Sequence, residues 1–111
     1  MGAFATGQVA MLPFPFSDLS RNKLRPAVLL AHAGREDWIV CQITSNPFGD
    51  RRSILLSAFE FAEGTLDHTS YVRPGKIFTA HESLIAAIVG TLTPDMLEAI
   101  RRAIIEVIQG R

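Results

Sequence analysis

Only at its C-terminal end does this sequence carry a sustained helical repeat. Leu97, Ile100, Ile104, Val107 and Ile108 fall on one helical face, and Glu98, Arg102 and Glu106 fall opposite. Thr93-Pro94 supplies an N-cap followed by proline at the first helical position. Asp95 stands near the positive helix end, and Gly110 marks the stop. Everything before Thr93 is a series of short apolar runs cut by proline, glycine and polar clusters. A chain of that kind has one helix to spend on covering its strands. The pattern argues for a small, mainly β, SH3-like antiparallel β-barrel with a C-terminal α-helix, a single domain over residues 1–111.

Taken in order, Thr6 to Phe14 reads as a first strand ended by Pro13, with Val9 and Met11 on one face and Gln8, Ala10 and Leu12 on the other. Pro26 to Ala31 is a continuous apolar run suited to a buried strand. His32 to Asp37 carries the turn, with Gly34 available for positive φ. Trp38 to Thr44 is its partner strand. Ser45 to Arg52 is a polar loop, Ser53 to Ser57 a short strand, and Ala58 to Thr69 a weakly patterned loop with one helical turn. Ser70–Arg73 and Lys76–Thr79 read as strand segments bent at Pro74-Gly75. A helical turn over Ala80–Leu84 and a strand over Ile85–Leu92 precede the helix.

Eleven basic and eleven acidic side chains cancel, so any polyanionic partner has to be held by a local patch. The one cysteine, Cys41, excludes an intrachain disulfide and fits a reducing compartment. Inside Trp38-Ile-Val-Cys-Gln-Ile43 it reads as a buried small hydrophobe. No apolar run approaches the ~18–20 residues of a membrane span. Met1 to Thr6 lacks a signal-peptide pattern, and its fit to the short myristoylation motif is read as an ordinary chain start. The expected location is the cytoplasm, with no membrane partner.

The stretch Pro13-Phe-Pro-Phe-Ser-Asp-Leu-Ser-Arg-Asn-Lys-Leu-Arg-Pro26 is stiffened at both ends by proline and polar at its centre. Ser17, Asp18, Ser20 and Asn22 bring turn chemistry, while Arg21, Lys23 and Arg25 form a cationic cluster. It reads as the rim of a site for an anionic, base-bearing ligand. Phe14 and Phe16 either stack unpaired bases or plug the mouth of the barrel.

His32, His68 and His81 are scattered, and no GxSxG, P-loop or GxGxxG motif is present. No metal or cofactor is called for. What remains is a matter of register. If Ala31 and Trp38 are the facing ends of one hairpin, paired positions sum to about 69, give or take two residues. Arg25 then meets Thr44 at the far end, and Arg51 and Arg52 follow on the loop leaving it. A guanidinium donates a planar fork to two phosphate oxygens, and a hydroxyl adds a further donor. Where an RNA is cut by its own 2′-OH, the protein needs mainly to align the attack and stabilise the added charge. The bland alternative is a structural strand-end Arg-Pro and a strand-end Thr.

Gly7-Gln-Val9, Phe14-Pro-Phe-Ser-Asp18, Lys23-Leu-Arg-Pro-Ala-Val-Leu29, Cys41-Gln-Ile-Thr-Ser45 and Ser70-Tyr-Val-Arg-Pro-Gly-Lys-Ile-Phe-Thr79 occur in this order. Together with the terminal Gly-Thr-Leu-Thr and helix, they resemble the PemK/MazF-like toxin family over nearly the whole chain. The resemblance implies an SH3-like barrel forming a homodimer and an endoribonuclease cutting single-stranded RNA without metal. It also implies an antitoxin partner whose flexible tail occupies the RNA groove. It makes Arg25 and Thr44 the catalytic pair. The RNA-binding set is Phe14, Phe16, Ser17, Asp18, Arg21, Lys23, Ser45, Arg51, Arg52, Arg73 and Lys76.

Two departures stand out. Some members carry an acid at the position of Gly75, beside the base matching Arg73, and some place a histidine in the first loop, where this chain has Asp18 to Lys23. The general base is therefore unassigned, with Asp18 a candidate. The competing reading is a non-catalytic barrel that binds RNA or a protein partner, as gyrase-poisoning relatives of this barrel do.

Overall fold

The computed structural model describes residues 4–14 and 23–111. Within them lie seven strands: β1 (Gln8–Pro13), β2 (Leu24–Gly34), β3 (Asp37–Thr44), β4 (Ile54–Leu56), β5 (Phe61–Gly64), β6 (Ser70–His81) and β7 (Ala87–Leu92). One helix, α1 (Pro94–Ile108), follows them. The strands form a single antiparallel sheet in the order β4-β6-β3-β2-β1-β7-β5. Its two edges, β4 and β5, are consecutive in the chain and joined only by Ser57 and a 3₁₀ turn over Ala58–Glu60. Five Cα steps of extended chain span about 17 Å at most, so the sheet must curl into a half-barrel to bring its edges that close.

Both faces of the central strands are covered. Val28, Leu30, Cys41 and Ile43 belong to one apolar cluster, completed by Ile100 and Ile104 of α1. Their alternating neighbours Ala27, Leu29, Trp38 and Val40 belong to a second cluster with Ala10, Leu12 and Phe14. Two-sided burial is why β2 reads as an unbroken apolar run instead of an alternating one. In β1 it leaves Val9 and Ala10 both fully buried, on opposite faces.

The helix is built as its sequence prescribes. The Thr93 hydroxyl accepts from Met96 N–H at 3.2 Å, and Pro94 occupies the first turn. Arg101 adds a tether that periodicity does not reveal, donating from Nη2 to the Leu30 carbonyl at 2.8 Å. That carbonyl lies where the β2–β3 register shifts, between Leu29 and Ala31.

Three sequence expectations change. The β2–β3 turn is shorter than expected, because β2 runs on to Gly34 and the left-handed positions fall at Gly34 and Arg35. Ser70–His81 is one strand, with its register against β3 slipping between Cys41 and Ile43, opposite the Pro74-Gly75 pair. Ala58–Thr69 contains β5, a strand the weak pattern hides. Among the described residues β5 pairs only with β7, and Gly64 faces Gly90 so closely that a Cβ on Gly64 would collide with the Val89 carbonyl oxygen. Glycine at both positions, and not a run of β-branched residues, is what lets this edge form.

Candidate active site

The β2–β3 ladder keeps the expected register at the end that matters. Ala27 faces Gln42, Val28 faces Cys41 and Leu29 faces Val40, each pair summing to 69. Two residues beyond the Ala27–Gln42 pair stand Arg25 and Thr44, on the sheet face that carries Ala27 and Leu29. Both line two adjoining cavities at this end of the sheet, one of about 290 Å³ and one of about 310 Å³. Arg25 and Thr44 are thus the wall the two cavities share.

The smaller cavity also takes in Lys23 and Ser45 from the strand ends, and Asp67, His68 and Ser70 from the segment entering β6. Pairing of Thr44 with Tyr71 draws that segment in. The larger cavity adds Phe14, Gln42, Phe48, Arg73 and Lys76, so three cationic side chains face it. Arg51 and Arg52 are exposed and line neither cavity. Their loop turns back at Asp50, whose Oδ1 accepts from the Arg52 main-chain N–H at 3.0 Å. Phe16, Ser17, Asp18 and Arg21 lie outside the described residues.

Thr44 is engaged locally. Its hydroxyl donates to the Asn46 carbonyl at 3.0 Å and accepts from Asn46 N–H at 3.1 Å, closing the first turn of the Ser45–Arg52 loop. The hydroxyl hydrogen can rotate toward a phosphate oxygen while Asn46 N–H stays on the oxygen. The exchange costs about one neutral hydrogen bond, roughly 1 kcal/mol. Arg73 is held from two sides, by Asp50 and by the ring of Phe48, whose centroid is 5.9 Å from its guanidinium carbon. Burial alone would raise the Asp50 carboxyl. Hydrogen bonds from Arg73 and the Arg52 N–H, with the charge of both, outweigh it and hold the group below its ordinary value of 3.8. Asp50 thus supplies, from a neighbouring loop, an acid beside Arg73 where Gly75 has none.

Of the two phenylalanines of the first loop, Phe14 is among the described residues. Phe14 is 5% exposed and packs edge-on against Phe78, with centroids 5.4 Å apart, so it plugs the barrel and gives the larger cavity a piece of its floor. Among the described residues the exposed aromatic at this site is Phe48, 71% exposed on a backbone with φ of 54°. Sequence reasoning passed over it, although a large aromatic between proline and glycine in a polar loop is itself a hint. It also passed over Gln42, whose Oε1 is buried and finds no partner among the described residues. Cys41 behaves as expected. Burial pushes its thiol up to about 12, and Sγ contacts the Arg73 carbonyl at 3.1 Å. Among the described residues no three His, Cys, Asp or Glu side chains gather in one place, and no helix is long and apolar enough to cross a membrane.

No curated protein is similar to this chain by sequence. Solved structures are similar in fold. The MazF of Deinococcus radiodurans is 19% identical, with 100% of each chain covered and a TM-score of 0.73. The Mycobacterium tuberculosis toxin MazF-mt6 is 18% identical, with 92% of this chain and 96% of that one covered and a TM-score of 0.71. A mycobacterial endoribonuclease, solved in complex with its cognate antitoxin, is 15% identical, with 96% of each chain covered and a TM-score of 0.73. A family model matches residues 5–108, from the segment before β1 to the last turn of α1, and so takes in Arg25, Thr44 and the other residues lining the two cavities. By that match the chain belongs to the PemK-like, MazF-like toxins of type II toxin–antitoxin systems.

Proposed function

We propose that this protein is a toxin-type endoribonuclease that cuts single-stranded RNA through the substrate's own 2′-OH, without a metal ion, and is held in check by a cognate antitoxin. The observation that carries the reading is the shared wall: Arg25 and Thr44, distant in sequence, line the same two cavities. A phosphodiester seated on that wall has a pocket on either side, one for each flanking nucleotide.

In the reaction the 2′-oxygen forms a bond to phosphorus and the P–O5′ bond breaks, leaving a 2′,3′-cyclic phosphate and a 5′-hydroxyl. Arg25 forks onto the non-bridging oxygens and gains strength as charge builds on the phosphorane. The Thr44 hydroxyl donates to the same group. Arg73 and Lys76 bring further positive charge to the larger cavity, and Phe48 offers an exposed ring for a neighbouring base. The whole chain acts as one domain, in the cytoplasm, as a homodimer. The mycobacterial relative was solved in complex with its cognate antitoxin, and a Deinococcus radiodurans structure holds MazE with MazF, which supports the same partnership here.

Incubation with a long single-stranded RNA in EDTA, followed by mapping of the fragment ends, tests the proposal. Discrete cuts ending in cyclic phosphate, abolished by Arg25→Ala, are expected. Binding without cleavage would make the protein a binding module, and cleavage only on addition of a divalent cation would overturn the mechanism.

A further inference from the structure

We propose that His68 is the general base of this site, taking the proton from the attacking 2′-OH. The inference rests on the nuclease reading above. It fills the role that the sequence leaves unassigned.

The three histidines have different surroundings. The His32 ring contacts the Arg35 carbonyl and stands edge-on to Trp38, at the β2–β3 turn. The His81 ring is taken up by Glu36 and Ser83, at the far end of β6. His68 alone of the three lines a cavity with Arg25 and Thr44. Its main chain is fixed from below: the Ser70 hydroxyl, 5% exposed in residue terms, donates to the His68 carbonyl at 2.9 Å. Ser70 pairs with Leu56 in β4, and Tyr71 pairs with Thr44 in β3. His68 therefore enters the site three residues before the strand partner of Thr44, a span of about 10 Å at most. The ring is carried by an exposed residue on an anchored turn, which suits a group that must give and take a proton.

This arrangement also gives the two cavities different jobs. The 2′-OH belongs to the nucleotide upstream of the cleaved bond, so that nucleotide occupies the cavity with the imidazole. The downstream nucleotide occupies the cavity with Phe48, Arg73 and Lys76. The neutral imidazole accepts the 2′-OH proton as the oxygen attacks phosphorus, and the departing 5′-oxygen takes a proton from solvent. The imidazolium then returns its proton to solvent, so the step is balanced without an oxidant or a cofactor. The charged groups lining the same cavity are Lys23 and Arg25 from β2 and its lead-in, and Asp67 beside His68.

The test uses the full chain and an RNA carrying one cut site. His68→Ala and His68→Asn are expected to lower kcat by ~10²–10⁴. Their affinity for the same RNA with a 2′-deoxy sugar at the cut site, and their unfolding midpoints, should stay at wild-type values. Free imidazole is expected to restore part of the His68→Ala rate, and the acidic limb of the wild-type rate–pH profile to vanish in both variants. Wild-type rates in both variants would overturn the assignment. So would loss of rate only with Asp67→Asn, disappearance of the basic limb instead, or a loss in His68→Ala that imidazole leaves unchanged. A wild-type protein that binds but never cuts would instead overturn the nuclease reading itself.

Discussion

Asp50 and Arg73 form an ion pair at 3.0 Å, Arg73 Nε donating to Asp50 Oδ2, with both side chains about four-fifths buried. The pair ties the Ser45–Arg52 loop to β6 and sets the guanidinium beneath the Phe48 ring. One contact thereby shapes the cationic side of the larger cavity.

Asp50→Asn removes that tie. The loss expected at neutral pH is about 1 kcal/mol of unfolding free energy. Because the native carboxyl is held below 3.8, its contribution is full above that value and is lost as pH falls through the lower native value. Chemical denaturation of both proteins across the acid range should show their difference shrinking toward zero as pH drops. A difference that grows in acid would contradict the pairing.

Phe48 and Phe14 should answer to truncation in opposite ways. Phe48→Ala is expected to weaken RNA binding by ~5–150-fold, as for loss of one stacked base, while moving stability by no more than about 0.5 kcal/mol. Phe14→Ala empties a core position and should cost about 3–5 kcal/mol in unfolding free energy. Binding isotherms and thermal unfolding of the two variants separate the stacking role from the plugging role.

Gln42 carries a buried oxygen that no described group satisfies, at the wall of the larger cavity. An uncompensated acceptor costs about 1–3 kcal/mol. Gln42→Met keeps the side chain's length and removes that penalty, so the variant should unfold at a higher temperature. If the amide reads a base in the complex, the same variant should also cut at a broader set of sequences, which end-mapping on a long RNA will reveal. A less stable Gln42→Met protein would mean that the oxygen is satisfied in solution.

Local chemistry made much of this architecture legible. The N-cap and proline at Thr93-Pro94, the apolar run after Pro26 and the bend at Pro74-Gly75 are backbone effects that act over a few residues, and each sits where the sequence puts it. The expected facing of Ala31 and Trp38 does not hold, since Ala31 pairs with Ile39 and Trp38 with His32. The slip between Leu29 and Ala31 takes up that one-residue offset, so the ladder still runs at the expected sum toward Arg25 and Thr44. What stayed hidden depends on distant partners. β5 is a four-residue edge whose only strand partner among the described residues is β7. Asp50, Phe48 and His68 reach the site on loops, where no periodicity records their direction. Arg51 and Arg52 follow Asp50 in sequence yet line neither cavity, and an Asx contact to Arg52 N–H turns the chain there.

The double engagement of Thr44 allows its two roles to be told apart. The hydroxyl closes the turn at Asn46 and also lines both cavities. Thr44→Ser keeps the oxygen and should retain the rate within about tenfold, whereas Thr44→Val should lose ~10²–10³ in kcat, as for a missing transition-state donor. Were turn closure its only task, Thr44→Val would loosen the Phe48 loop, raise KM and leave kcat unchanged, since binding and transition-state losses separate in that way. Arg25→Lys gives the complementary measurement. It keeps the charge but not the planar fork, so a fall in kcat comparable to that of Thr44→Val would mean that bidentate geometry at the phosphate, and not simple attraction, is what this wall provides.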